Sequence, residues 1–230
     1  TVGNGWSHTQ NTYSDHGYYF ITDQLHLQRL IEDDKTAYDT QSVVDVDWYI
    51  ALSVHERDSI NLIDPKGESG GGREFYGEFL NTQNRSKSVV FPMKNVRMDL
   101  PANCVVDMAA YSSEVTPVQV TYAGESRTLK MAKIDVSHHH TKVTKAHTSF
   151  SVNPSGADEQ TVSLLFKSSL SGAIAYLNYI EMQVPCALKM VDDEMSIVNT
   201  NFLGDAHSSI RYSMQDASED VQIWRVTNGV

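Results

Sequence analysis

Between Val44 and Val54 every second residue is apolar: Val44, Val46, Trp48, Ile50, Leu52 and Val54. Side chains on a β-strand point to alternate faces, so this run predicts one long strand with a single apolar face. The alternation recurs at Cys104, Val106, Met108 and Ala110, then at Val118, Val120 and Tyr122. It returns at Val162, Leu164 and Phe166, and again at Ile210, Tyr212 and Met214. Helical periodicity is nearly absent, and its best candidate, Leu25 to Ile31, is short. Ala175 to Val184 is apolar on both faces, the pattern of a central strand covered on both sides.

Turn chemistry punctuates these runs. Ala123-Gly124-Glu125 reads as a hairpin joining the strand around Val120 to one around Leu129 and Met131. Asn153-Pro154-Ser155-Gly156 separates a strand at Phe150 and Val152 from one starting near Thr161. Strands at this spacing, without helices between them, predict an all-β fold: a jelly-roll-like β-sandwich of mostly antiparallel strands. Its expected core holds Val46, Trp48, Ile50, Val106, Met108, Val120, Leu164, Phe166 and Ile180. The strongest internal break is Asp64 to Arg73, where Pro65 and four glycines interrupt the pattern. Residues 1–64 then form an N-terminal β segment, a subdomain or part of the same sandwich, and 74–230 a β-sandwich domain.

A chain of 230 residues can bury most of its extended surface and needs no covalent staples. The formal charge of −11 repels phosphate backbones, so nucleic acid is not an expected partner. No apolar run approaches the ~18 residues of a membrane-spanning helix. Cys104 and Cys186 are too far apart for a CxxC motif and too few for a disulfide framework. Their apolar, strand-like surroundings predict buried free thiols. The sequence starts at Thr1 and ends on a polar segment, as a piece of a longer polypeptide would.

Candidate chemistry is thin. His138, His139 and His140, with His147 nearby, offer imidazoles to a metal, but strand geometry leaves only two of the triplet on one face. His55-Glu56-Arg57-Asp58 starts like a zincin motif, yet Ser59 stands where the second histidine belongs. Gly67 to Arg73 is glycine-rich but lacks the Lys-Ser/Thr pair of a phosphate loop. Neither cysteine has a nucleophile-elbow or glycine-rich setting. We therefore expect no catalytic residue, no metal ligand and no cofactor. Trp6, Tyr13, Tyr18, Tyr19, Tyr76 and Trp224 are candidate sugar-stacking aromatics, whose ordinary fate is core packing. An independent carbohydrate-binding module is thus one expectation for the function.

Several segments in order carry a more specific signal. His8 to Thr22 contains His8, Asn11, Tyr13-Ser14 and Tyr18-Tyr19-Phe20-Ile21-Thr22. His55-Glu56-Arg57-Asp58 and Asn61-Leu62 follow, then Gly72-Arg73-Glu74-Phe75-Tyr76-Gly77-Glu78-Phe79. Tyr176-Leu177-Asn178-Tyr179-Ile180-Glu181 and Val221-Gln222-Ile223-Trp224-Arg225-Val226-Thr227-Asn228 complete the set. Together they resemble the region before the peptidase domain in PorU-like proteins, the gingipain-type cysteine peptidases that act as sortases of bacterial type IX secretion. Phe75, Arg225 and Gly229 depart from that pattern, which favours Trp, Asp and Pro there. The resemblance implies a noncatalytic accessory region, extracytoplasmic at the outer-membrane surface or in the periplasm. It implies a downstream peptidase domain of the same polypeptide as partner, with the catalytic His and Cys beyond Val230, and secreted cargo as further partners. Glu56, Arg73 and Glu78 lie in these motifs, and a guanidinium at Arg73 could pin either carboxylate. We expect a structural ion pair at this seam.

Overall fold

The computed structural model describes residues 43–62, 75–137, 143–199 and 209–223. In chain order the strands are β1 (Val43–Val46), β2 (Trp48–Glu56), β3 (Ile60–Asn61), β4 (Phe75–Tyr76), β5 (Phe79–Leu80) and β6 (Ser86–Pro92). They continue as β7 (Ala102–Tyr111), β8 (Thr116–Tyr122), β9 (Glu125–Met131), β10 (Thr144–Val152), β11 (Glu159–Phe166), β12 (Ile174–Ala187) and β13 (Ser209–Tyr212). Among the described residues there is no helix. One sheet runs β10-β7-β12-β2, with β5 also on β12; the other runs β6-β11-β8-β9. All pairings within these two sheets are antiparallel. The fold is an all-β sandwich.

The core lies between the two sheets and is built by the predicted alternation. Ala102, Cys104, Val106, Met108 and Ala110 of β7 are fully buried in it. They meet Val118, Val120 and Tyr122 of β8 and Val162, Leu164 and Phe166 of β11 from the other sheet. Removing this apolar area from water is the main force that holds the sheets together. A side-chain polar link inside it is matched: Tyr122 Oη donates to Gln160 Oε1 at 2.9 Å, and Gln160 Nε2 donates to the carbonyls of Ser155 and Ala157. β12, 14 residues long, is central in its sheet, but it is buried on both faces only from Ile180 to Cys186, with Tyr176, Asn178 and Tyr179 half-buried where both-sided cover was expected.

The opening alternation behaves differently from the expectation. It is two strands, not one: Asp47 interrupts it, its carbonyl accepting from Leu188 N–H at 2.7 Å. β1 pairs in parallel with β13, whereas β2 joins β12. The apolar face of β2 also points away from the sandwich core, because its register places Tyr49 and Ala51 on the core side. Val46 and Ile50 are buried where β13 and residues 198–199 reach these strands. Trp48 is only half-buried, and Leu52 and Val54 are exposed. Period two predicted the strand but could not say which covering layer each apolar face would meet.

The Ala123-Gly124 hairpin is as expected, with Tyr122 opposite Glu125. Both loop residues have positive φ, 48° at Ala123 and 84° at Gly124, as a two-residue turn matched to strand twist requires. Alanine pays a steric penalty there that asparagine largely escapes. Ala123→Asn should therefore stabilise the protein by about 0.5–1 kcal/mol. A rise in the urea midpoint checks this; a fall would contradict it.

Candidate functional site

Both thiols sit on the core side of one sheet, on β7 and β12, with no exposed surface. Burial alone pushes each up to about 12. The reactive species is the thiolate, which such sites suppress at neutral pH. Native protein should thus leave Cys104 and Cys186 unlabelled by iodoacetamide at pH 7.5, and unfolded protein should take up label at both. Stoichiometric labelling of the native chain would overturn this.

A second cluster forms where the edge of the five-stranded sheet changes hands. β12 carries an irregularity between Leu177 and Tyr179. On one side of it the edge partner is β5, with Ala175 opposite Leu80 and Tyr176 opposite Phe79. On the other it is β2, starting from Tyr179 opposite Glu56. Gly77 and Glu78 fill the junction: Gly77 N–H donates to Leu177 O, and Leu177 N–H donates to Glu78 O, both at 2.8 Å. A Cβ on Gly77 would lie 2.8 Å from Arg57 Cβ and 3.0 Å from Arg57 O, so only glycine fits.

This backbone delivers the Glu78 carboxylate to an imidazole, an ammonium and a guanidinium. His55 Nε2 lies 3.0 Å from Oε1 and 3.2 Å from Oε2. Lys87 Nζ is 3.1 Å away and Arg57 Nη1 3.6 Å. Burial works against the charged carboxylate, but the hydrogen bond from Lys87 and the His55 imidazole outweigh it and hold Glu78 below its ordinary value. His55 belongs to β2 and Lys87 to β6, the edge strand of the opposite sheet, so Glu78 clasps the two sheets along one side. On the other side Arg127 of β9 reaches β10, donating to Ser149 O and lying 5.4 Å from the Phe150 ring centroid.

The outer face of the five-stranded sheet reads as rows across strands. One row is Lys145, Ala109, Tyr176 and Phe79; the next is His147, Asp107, Tyr179 and Glu56. Then come Ser149, Val105, Glu181 and Val54, with Tyr111 beside Ile174 at the opposite end. Phe79 is 43% exposed and Tyr111 38%, whereas Glu181 is nearly buried. Asn178 Nδ2 donates to Asp107 Oδ1 at 2.9 Å. Burial, then the nearby Asp107, Glu181 and Glu56, pushes the Tyr179 phenol up. Burial, then Tyr111, does the same to Tyr176.

The motif residues therefore divide. Glu78 meets His55, Arg57 and Lys87, while Glu56 lies on the opposite face beside Tyr179. Arg73 lies outside the described residues, as do His138 to His140, residues 25–31 and the aromatics Trp6, Tyr13, Tyr18, Tyr19 and Trp224. Tyr76 is buried against Tyr176, ring centroids 6.2 Å apart, and presents no stacking surface. From sequence, Phe79 and Tyr176 are motif residues and Tyr111 carries no signal; none is a stacking candidate, because only strand register brings these segments onto one face.

No protein-family model and no curated protein sequence matches the chain. A crystal structure of dimeric latent PorU from Porphyromonas gingivalis is similar, with TM-score 0.64 at 21% identity over 80% of this chain. The chain spans 17% of that protein, and the two share a fold over this part. A CBM36-1 domain of a multidomain xylanase from the hindgut metagenome of Trinervitermes trinervoides aligns at TM-score 0.36 and 12% identity, over 57% of this chain and 96% of its own. A family 35 carbohydrate-binding module from Clostridium thermocellum aligns at 0.32 and 12%, over 59% and 91%. The last two scores are too low to imply a common fold.

Proposed function

We propose that this chain is a noncatalytic β-sandwich region of a cell-surface, gingipain-type cysteine peptidase of type IX secretion. Its role is to support or position a peptidase domain carried elsewhere in the polypeptide. The observation that carries this reading is the shared fold with part of PorU, together with motifs in matching order. The geometry agrees with it. The His55-Glu56 and Tyr76-Gly77-Glu78 motifs meet at one structural junction, and both thiols are buried away from chemistry. Such a region contributes a rigid frame rather than reacting groups, and its outward location follows from the activity of the parent family.

The test is deletion of residues 1–230 from the complete protein in its native host. The expected result is loss of mature peptidase and accumulation of cargo that retains its C-terminal signal. Normal cargo processing after the deletion would sink the proposal. A second reading, an independent carbohydrate-binding module, is favoured by one observation: the exposed aromatic residues in rows with hydrogen-bonding side chains.

A further inference from the structure

We infer that the end of the outer sheet face around Phe79, Tyr111 and Tyr176 is a saccharide-binding surface, taking a neutral oligosaccharide. This inference rests on the second reading above and gives it a site. Aromatic residues are ordinarily spent on packing, yet Phe79 and Tyr111 remain 43% and 38% exposed. Tyr176 lies between them: it is the cross-strand partner of Phe79 on one side and of Ala109 on the other, with Tyr111 two residues along β7 on the same face. Antiparallel pairing and the packing of Tyr176 against the buried Tyr76 ring hold this group on a rigid support.

The occupant follows from how apolar and polar groups alternate. A protein-docking face gathers its apolar residues in a centre and its polar residues in a rim. Here the aromatic row is bordered directly by hydrogen-bonding groups: Lys145 in the same row, then His147, Asp107 and Asn178 beside it. A sugar ring has the complementary character, with C–H groups on its face and hydroxyls around its edge. The electron-rich face of an aromatic ring attracts those C–H groups, while carboxylate, amide and imidazole side chains address the hydroxyls. Charge narrows the class. Lys145, the cation of the aromatic row, is outnumbered by Asp107 and Glu56 in the second row and Glu181 in the third, and the chain carries −11 overall, which opposes uronate, sulfate or phosphate groups. A neutral glycan is what remains.

The experiment exposes the purified chain to a printed array of neutral and anionic oligosaccharides, followed by calorimetry with the strongest binder. The wild type, Phe79→Ala, Tyr111→Ala and the control Tyr212→Ala are compared, with thermal unfolding recorded for each. Tyr212 is also exposed but lies on β13, in a separate two-stranded sheet with β1. We expect a neutral glycan to bind, Phe79→Ala and Tyr111→Ala each to weaken it at least tenfold with unchanged unfolding, and Tyr212→Ala to leave it intact. Binding that survives both substitutions overturns the site while leaving the carbohydrate-binding reading in place. Binding restricted to anionic glycans overturns the inferred class. Failure of every glycan to bind overturns both the site and that reading.

Discussion

Truncating Phe166 to alanine should lower the unfolding free energy by about 3–5 kcal/mol, the range for buried phenylalanines. The ring is 1% exposed at the end of β11, and it is among the largest fully buried side chains of the sandwich. Its backbone is also held: Phe166 N–H donates to Arg85 O at 2.7 Å, and Phe166 lies opposite Val118. With the main chain fixed on both sides, the sheets cannot collapse into the vacated volume, so the cavity persists and the loss falls in the upper part of that range. Domains of this kind have about 5–15 kcal/mol to lose, and the variant should unfold at a much lower urea concentration. Leu165→Ala, one residue away on the exposed side, should cost less than about 1 kcal/mol. Equal effects at the two positions would mean that the sheet faces are wrongly assigned.

That contrast shows where period two was informative. On β7, β8 and β11 one face meets the opposing sheet and the other meets solvent, so alternation in the sequence translates directly into burial. The strand from Trp48 to Glu56 follows the same code but packs differently. Its apolar side faces outward, and Ile50 is buried while Leu52 and Val54 are exposed, because the covering layer comes from sequence some 150 residues away. No local pattern carries that information. The candidate sites divide in the same way. Glu78 was legible as an ion-pair candidate, since it stands in a family-like motif with Arg73 offered as its partner, and Arg73 lies outside the described residues. Its actual partners include Lys87 from the other sheet, which only the sandwich brings near. The aromatic face was illegible because Phe79, Tyr111 and Tyr176 belong to three strands joined by register alone.

Glu78→Ala should destabilise the protein by about 1–3 kcal/mol, well beyond the effect of an exposed ion pair. The difference lies in Lys87, whose register opposite Leu164 turns it toward the inside of the sandwich at the edge of β6. An inward lysine guards an edge strand against pairing with other chains, but it needs an anion to remain there. Glu78 supplies it at 3.1 Å while its own side chain is only 14% exposed. Arg211→Ala, which removes an ion pair to Asp45 with both side chains mostly exposed, should change stability by less than about 0.5 kcal/mol. The acid dependence has a definite sign. Because the folded carboxyl titrates below its ordinary value of 4.5, its contribution is complete above that pH and is lost as pH falls through the folded value. Glu78→Gln, which keeps the shape but not the charge, should therefore flatten this part of the stability–pH curve. Adding Lys87→Met to Glu78→Ala removes the stranded ammonium and should recover at least half of the loss. If the double variant is as unstable as Glu78→Ala alone, the clasp acts through packing at the β5–β2 junction and not through charge.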